Sequence, residues 1–287
     1  MTWSLLGCFG LGDKQPSLPL STEVRVVLAD AGIIFGEDSG MSGWRVSDKG
    51  PRRFAPEGAG SIVAADTTTS GVVAISAQTN GLNPQLWTNS GDGWTKGPAL
   101  SHGPINQLLV AQDGGLWTEG DKGVYRSEDS GETWTRMEVP ANLRLGAIKL
   151  GQSGGRIAFA GRSLVTTHDN GNTWQTLLAD GSVQVTDGTW VAAATDKPSL
   201  RIGRISDQGV EWTDEVDGDW NAAAIQGHSE GVRIVGTQKL STQVELLQGN
   251  QDGREFSSKR LRTRPEWVGL GNGVVWLDEK RQIHSLR

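Results

Sequence analysis

The sequence predicts an all-β fold, a single seven-bladed β-propeller in which every blade is a four-stranded antiparallel sheet. Two observations support this prediction. A short motif recurs about every 40 residues, and an independent series of glycines, each followed by an apolar run, marks the same interval seven times. The composition agrees, because 40 glycines and 12 tryptophans among 287 residues are typical of a chain with many short strands and tight turns.

The motif is clearest in two segments that read S/T-x-D-x-G-x-T-W. They span 127–134 and 167–174, and their tryptophans are 40 residues apart. Weaker copies follow the same spacing and end in an aromatic residue; they lie at 48–54, 89–94, 207–212 and 251–256. Self-similarity at a fixed interval of this length indicates a repeat architecture.

The glycine series supplies the blade count. Each glycine precedes an apolar run, and several also follow a short apolar or alternating stretch, a pattern that predicts a strand, a tight turn and a second strand. The seven positions are Gly32, Gly71, Gly115, Gly155, Gly188, Gly231 and Gly273. Because only six motif copies accompany these seven glycines, we expect the seventh copy to be divided between the two ends of the chain.

The repeat length fits one blade, since four strands of about 5–6 residues with short turns use about 40 residues. We therefore expect one domain over 1–287. Residues 22–264 form six blades, residues 265–287 give three strands of the seventh, and residues 1–12 add its fourth strand, with Trp3 as the motif tryptophan. Radial packing is expected because one such sheet leaves two apolar faces uncovered.

The segments at 127–134 and 167–174 resemble the BNR or Asp-box repeat. The resemblance implies that each motif forms the turn between the third and fourth strands of a blade. Its aspartate then accepts backbone N–H groups of its own turn, its glycine adopts a positive φ, and its tryptophan packs on the blade. These structural roles are expected for Asp129, Gly131, Trp134, Asp169, Gly171, Trp174, Asp207, Gly209 and Trp212.

Among Asp-box proteins, seven blades in one small domain most resemble the photosystem II stability and assembly factor family. That resemblance implies a non-enzymatic protein-interaction scaffold, an assembly factor or an accessory subunit of a larger complex. A sialidase is disfavoured because the Arg-Ile-Pro signature is absent and the single tyrosine, Tyr125, is expected near the rim. A carbohydrate-binding or glycoside-hydrolysing propeller stays open as the alternative, since it needs only two suitably separated carboxylates.

No catalytic residue, metal site or cofactor is predicted. The four histidines, one in each of four blades, have no metal-ligand spacing; they are His102, His168, His228 and His284. The glycine-rich pieces precede no helix and so do not predict phosphate loops. Acidic residues that fall in turns are expected to be solvated; they include Asp30, Asp113, Asp121 and Asp187.

A basic run at 259–264 is the most distinctive charged stretch. On a strand, Arg260, Arg262 and Arg264 would point to one side, where they could bind carboxylates of a protein partner. The resemblance to the assembly-factor family also implies an arginine-rich surface for partner binding. The alternative is that these arginines pair with the acidic stretch 211–219 of the preceding blade.

Charge and hydropathy bound the remaining partners. The net charge of −6 gives no reason to expect nucleic acid. No stretch approaches the ~18 apolar residues of a membrane-spanning helix. No signal peptide is recognisable, so a cytoplasmic location is the default expectation, and an extracytoplasmic one follows if a signal has been removed.

Overall fold

The structure is a computed structural model that describes most of the chain. The described residues are 23–28, 33–38, 41–47, 50–77, 83–111, 113–141, 143–150, 156–160, 163–179, 182–239, 241, 243–261, 265–270, 274–278 and 283–286. Within these ranges every regular element is a β-strand and there is no helix.

The chain divides into two compact units. The first combines Met1–Arg136 with Pro265–Arg287. Its first sheet contains β1 (Glu23–Leu28), β2 (Ile33–Asp38), β3 (Met41–Ser47) and β4 (Gly50–Arg53). The second contains β5 (Ser61–Thr67), β6 (Val72–Ala77), β7 (Gln85–Asn89) and β8 (Trp94–Ala99). The third contains β9 (Ile105–Val110), β10 (Leu116–Gly120), β11 (Gly123–Ser127) and β12 (Thr135–Arg136).

The second unit, Met137–Arg264, contains three sheets. One is formed by β13 (Leu143–Leu150), β14 (Arg156–Ala160), β15 (Ser163–Thr167) and β16 (Gln175–Leu178). The next has β17 (Val183–Thr186), β18 (Trp190–Ala194), β19 (Ser199–Ser206) and β20 (Gly209–Asp217). The last has β21 (Trp220–His228), β22 (Gly231–Gln238), β23 (Val244–Gly249) and β24 (Ser257–Arg260).

The carboxyl-terminal sheet belongs to the first unit and has three described strands. They are β25 (Pro265–Leu270), β26 (Val274–Asp278) and β27 (Ile283–Leu286). In every sheet the spatial order follows the chain order and all neighbours are antiparallel. The segment expected to add a fourth strand here, residues 1–12, lies outside the described residues.

A bulge recurs in the first strand of several sheets. The register with the second strand skips one residue between Val24 and Val26, and again between Ile62 and Ala64. The same shift occurs in β17 and in β21. A bulge increases the local right-handed twist of a strand. Its recurrence marks the sheets as copies of one unit, although nothing in the sequence motif indicates it.

The sheets carry apolar side chains on both faces. In β6, Val72 and Ala74 pack with Phe35 of the preceding sheet, whereas Val73 and Ile75 pack toward β9 and β10. The second unit repeats the arrangement: Trp190 and Ala192 of β18 join one cluster and Val191 the other. Adjacent strand residues point to opposite faces, so a sheet covered on both sides has continuous apolar runs instead of strict alternation.

Polar side chains also tie one sheet to the next. Asp66 Oδ2 accepts the Val110 N–H at 2.8 Å, and Asp187 Oδ2 accepts the Gly227 N–H at 2.5 Å. Asp187 Oδ1 additionally accepts the Trp190 N–H at 2.7 Å. The expectation of a merely solvated Asp187 is therefore wrong, because its carboxylate satisfies backbone donors of two sheets. A hydrogen bond to a charged group contributes about 1.5–3 kcal/mol.

The turn glycine Gly131 lies directly against the neighbouring sheet. Its φ is +94°, and a Cβ there would meet Leu86 Cδ2 at 2.4 Å. Leu86 is fully buried in the core of the first unit. The position therefore requires glycine for two reasons, backbone conformation and space. Gly114, with a φ of +83°, has the first requirement alone, because its Cβ would have no neighbour within 4 Å.

We predict that Gly131→Ala destabilises the protein more than the matched Gly114→Ala. Both substitutions strain a left-handed backbone, but only the first forces a methyl group into the packed Leu86 side chain. Overpacking of this kind costs about 1–3 kcal/mol. Chemical denaturation of the two variants measures the difference, and equal losses would show that the turn does not press on the sheet.

Candidate partner-binding surface

The predicted arginine row begins on the last strand of sheet β21–β24. All four residues of β24 are exposed, and Arg260 is its last residue. Arg262 and Arg264 lie outside the described residues. β24 stands at the edge of its sheet, so its outer side offers unpaired backbone groups beside the charge. The structure thus places one of the three arginines, on an exposed strand edge.

A buried carboxylate lies beside Arg260. Glu245 of β23 is its cross-strand partner and is only 8% exposed. The structure forms no ion pair between Arg260 and a carboxylate in the part of the chain that it describes. The Arg260 guanidinium therefore keeps its donors for the solvent or for a ligand.

The acidic stretch 211–219 makes its own contacts. Glu215 Oε1 accepts the Ser199 hydroxyl, Asp214 Oδ1 accepts the Glu215 N–H at 2.9 Å, and Asp219 Oδ2 lies 3.0 Å from Lys239 Nζ. Internal neutralisation of Arg260 by this stretch was the alternative to partner binding. No ion pair joins Arg260 to this stretch within the described residues. β20 is therefore an acidic edge strand and β24 a separate basic edge strand.

A second basic edge, which the sequence reasoning missed, lies in the first unit. Arg45 of β3 and Arg52 of β4 are direct cross-strand partners, and both are exposed. The Arg45 guanidinium carbon lies 4.1 Å from the Phe54 ring centroid. Like charges directly opposite each other destabilise a strand pair. The sequence carried a signal for this edge, because Arg45 precedes the weak motif copy at 48–54 and Arg52 lies within it.

The turn at 127–134 joins β11 to β12, the third and fourth strands of their sheet. Asp129 Oδ1 accepts the Thr133 N–H at 2.8 Å, and Oδ2 accepts the Thr133 hydroxyl at 2.6 Å. The Ser127 hydroxyl donates to Asp129 Oδ1 and accepts the Gly131 N–H, each at 2.8 Å. Trp134 Nε1 donates to the Gly131 carbonyl at 2.9 Å. The carboxylate oxygens are thus occupied within the turn.

The turn at 167–174, between β15 and β16, repeats this geometry. Asp169 accepts the Thr173 N–H at 2.8 Å and the Thr173 hydroxyl at 2.7 Å. Gly171 has a φ of +91° and donates its N–H to the Thr167 hydroxyl at 2.8 Å. The tryptophan differs, because Trp174 Nε1 donates to the Glu138 carbonyl at 3.1 Å.

The hydrogen bonds keep both aspartates ionised. Those from the Thr133 hydroxyl and N–H lower the pKa of Asp129 from 3.8 to about 2, and those from Thr173 lower the pKa of Asp169 to about 2. A carboxylate with such a pKa is a poor general acid near neutral pH. Their chemistry is that of turn closure.

The Asp207 turn differs from the expected form. β19 and β20 are joined by only two residues, so there is no room for the longer loop that an aspartate caps. The Ser206 hydroxyl serves instead, donating to the Gly209 carbonyl at 3.2 Å. Asp207 Oδ1 lies 3.9 Å from His168 Nε2. Trp212 packs on its core cluster with Arg201 4.3 Å from the ring centroid.

In the weak copy near 251–256 the capping residue is Asn250, which the sequence reasoning did not single out. Its Oδ1 accepts the Asp252 N–H at 3.0 Å and the Arg254 N–H at 3.1 Å. An amide oxygen replaces the carboxylate, which explains why a search for aspartate missed it. Gly253 of this turn has a φ of +68°, and a Cβ there would meet the Trp190 ring at 2.3 Å.

His102 belongs to a packed aromatic group in the first unit. It is 6% exposed, and its Nε2 lies 2.9 Å from the Thr118 hydroxyl. Its ring stacks on Tyr125 at 4.2 Å between centroids. Burial, and then the nearby Lys122, lower the pKa of His102. A buried, neutral imidazole that stacks on a neighbouring ring is consistent with a packing role for His102.

Among the described residues, no group of three or more His, Cys, Asp or Glu side chains is arranged to hold a metal ion. No helix in that part of the chain has the length and hydropathy to span a membrane.

Comparison with known proteins identifies the fold. No protein-family model matches the sequence, and no curated protein matches it. Solved structures do match. A streptogramin B lyase superposes with a TM-score of 0.59 at 14% identity, over 92% of this chain and 97% of that one. YCF48 bound to D1 peptide gives 0.56 at 13% identity, over 95% and 97%.

A third neighbour is a putative 6-phosphogluconolactonase from Bacteroides uniformis. It gives a TM-score of 0.54 at 10% identity, over 87% of this chain and 92% of that one. At such low identity these similarities concern the fold alone. The chain is an all-β propeller with antiparallel four-stranded blades.

We predict that Asp129→Asn lowers the melting temperature at neutral pH and not at strongly acid pH. The folded-state pKa of about 2 lies below the ordinary 3.8, so the carboxylate stabilises fully above the ordinary pKa. That contribution is lost as the pH falls through about 2. Thermal melts of both proteins should therefore converge as the pH is lowered.

The matched control is Asp92→Asn, an exposed turn aspartate whose carboxylate accepts no hydrogen bond within the described residues. Its melting temperature should follow that of the wild type at every pH. A gap between wild type and Asp129→Asn that persists at acid pH would contradict the turn-closing role.

Proposed function

We propose that this protein is a non-enzymatic scaffold that binds an acidic segment of a protein partner, as an assembly factor or an accessory subunit does. One observation carries the proposal. β24 presents Lys259 and Arg260 on an exposed edge, and Arg260 forms no ion pair with a carboxylate of the described residues, although Glu245 is its cross-strand partner. Arg262 and Arg264, which follow directly in sequence, extend the same charge.

The edge position favours a peptide ligand. An extended peptide can add to an exposed strand edge through main-chain hydrogen bonds, while its side chains meet alternate positions of the strand. Acidic side chains on that peptide would meet guanidinium groups, whose paired donors suit carboxylates. The neighbour YCF48 was solved with a D1 peptide, so peptide binding is compatible with the fold.

The described turn carboxylates do not favour an enzyme. Those of Asp129 and Asp169 are occupied by turn hydrogen bonds, and that of Asp187 by backbone donors. The lyase and lactonase neighbours, and the glycoside-hydrolysing alternative, make a direct activity test necessary. A glycan array and a panel of fluorogenic glycosides should give neither a specific sugar nor turnover, and either result would favour the alternative.

We also propose that the sheets are seven blades of one closed ring. The supporting observation is that six sheets of the described chain have four strands, whereas β25–β27 lacks a fourth. β1 lies beside β25 in the first unit. Residues 3–9 would add the missing strand next to β27, which joins both ends of the chain in one blade.

The binding proposal predicts that Arg260→Ala, Arg262→Ala and Arg264→Ala together weaken binding to short Asp- and Glu-rich peptides. Charge-assisted hydrogen bonds contribute about 1.5–3 kcal/mol each, so the loss should be about tenfold or more. Fluorescence anisotropy with labelled peptides measures it.

The matched control is Arg52→Ala with Arg53→Ala, on the other exposed basic strand edge. This variant should retain wild-type affinity. Equal losses in both variants would indicate unspecific attraction of acidic peptides, and unchanged binding in the triple variant would reject β24 as the site.

The ring proposal predicts that deletion of residues 1–10 lowers the melting temperature sharply, because β27 would lose its neighbour and expose an edge. Differential scanning calorimetry of the shortened and full chains makes the comparison. A shortened chain that melts at the wild-type temperature would show that these residues do not complete the blade.

A further inference from the structure

A second charged feature, independent of the proposed partner surface, lies inside the sheet β21–β24. Arg233 of β22 is 6% exposed. Its backbone pairs with β21 and β23, but no carboxylate of the described chain forms an ion pair with its side chain. A charge on a largely buried residue is costly unless it is paired and hydrogen-bonded.

Arg126 is a buried arginine of the same protein that does form ion pairs. Arg126 is 8% exposed, and its guanidinium contacts Asp113 Oδ2 at 3.1 Å and the carboxylate of Glu128. Two acids thus compensate one buried cation. The lack of such partners at Arg233 is therefore a local property of this site.

Two buried polar atoms without hydrogen-bond partners lie beside Arg233. Gln226 is the cross-strand partner of Arg233, and its Oε1 is buried without a hydrogen bond. His228 stands two residues further along β21, and so on the same face; its Nε2 is also buried without a partner. Buried polar atoms are nearly always satisfied, so adjacent exceptions call for a bound group.

The hydrogen bonding of His228 defines what its free nitrogen offers. The Glu230 N–H donates to His228 Nδ1 at 3.2 Å, so Nδ1 is the acceptor and the neutral ring carries its proton on Nε2. Burial, and then the charge of Arg233, lower the pKa of His228, which keeps the ring neutral. Nε2–H is consequently a donor that lacks an acceptor.

The donors converge on one kind of ligand. Arg233 contributes a cation with a fork of N–H groups, and His228 contributes one N–H. The Gln226 amide turns either its oxygen or its nitrogen toward the site, since the two orientations are nearly equivalent. A group with several acceptor oxygens and a negative charge satisfies all three side chains together.

We propose that Gln226, His228 and Arg233 form a binding site for a small oxyanion, a phosphate or a carboxylate, within the sheet β21–β24. The site would be filled by a free anion or by an anionic group of a larger ligand. It lies on the sheet face opposite Ile225, Val232 and Ile234, which pack into the apolar core of the second unit.

The test measures thermal unfolding of the full chain against rising inorganic phosphate, and separately acetate, with sodium chloride at matched ionic strength as the reference. Binding to the folded state raises the melting temperature along a saturating curve. A shift with phosphate alone assigns a phosphate site, and a shift with acetate alone assigns a carboxylate site. A shift with both assigns a general oxyanion site, and a shift with neither overturns the proposal.

Arg233→Met supplies the decisive comparison, because it keeps the side-chain volume and removes the charge. The variant should lose the anion-dependent shift, because the cation that would bind the anion has been removed. Arg52→Met, which removes an exposed arginine, should keep the full shift. A shift that survives in Arg233→Met would overturn the assignment.

His228→Leu provides a second route should Arg233→Met fail to fold. Isothermal titration with whichever anion gives the shift should show affinity reduced about tenfold, the effect of one hydrogen bond to a charged group. Wild-type affinity in His228→Leu would exclude His228 from the site and contradict the proposal.

Discussion

The face-to-face packing of sheets that are apolar on both sides is the interaction on which the rest of the structure depends. Val72 and Val73 are neighbours in β6 and pack into different clusters, and Trp190 and Val191 do the same in β18. Fully burying such a side chain stabilises the fold by about 1.5–3 kcal/mol. A sheet of this kind gains that energy only between two neighbours, which makes the repeated architecture necessary.

The packing of sheets against one another also determines where polar side chains are needed. Stacked sheets bury backbone donors at their ends, and the protein satisfies these with side chains that reach across. Asp66 and Asp187 bond to the backbone of the following sheet, and Asp129 and Asp169 close turns. Because these carboxylates are used in hydrogen bonds that stabilise the fold, we look for ligand binding on the strand edges and at polar groups without such hydrogen bonds. Arg260 and Arg233 are two charged residues for which no ion pair is formed within the described part of the chain.

The sequence predicts much of this fold because its signals are local. The glycine and motif series predicted short antiparallel strands, and three strands, β25–β27, lie within residues 265–287, where three were expected. The sequence did not reveal turns in which a residue other than the motif aspartate forms the capping hydrogen bonds. Asn250 caps a turn with an amide in place of an aspartate, and the two-residue hairpin after Ser206 leaves Asp207 outside the capping role. The Gln226 and Arg233 pair depends on cross-strand register, which no local pattern reveals.

We propose that a peptide ligand binds at a strand edge, whereas the aspartate turns stabilise the fold. Hydrogen exchange of the full chain with and without an acidic peptide ligand tests it most directly, because it reports backbone protection residue by residue. The account predicts slower exchange at 257–261 on binding and unchanged exchange at 127–134 and 167–174. Protection confined to those turns, with none along β24, would contradict it.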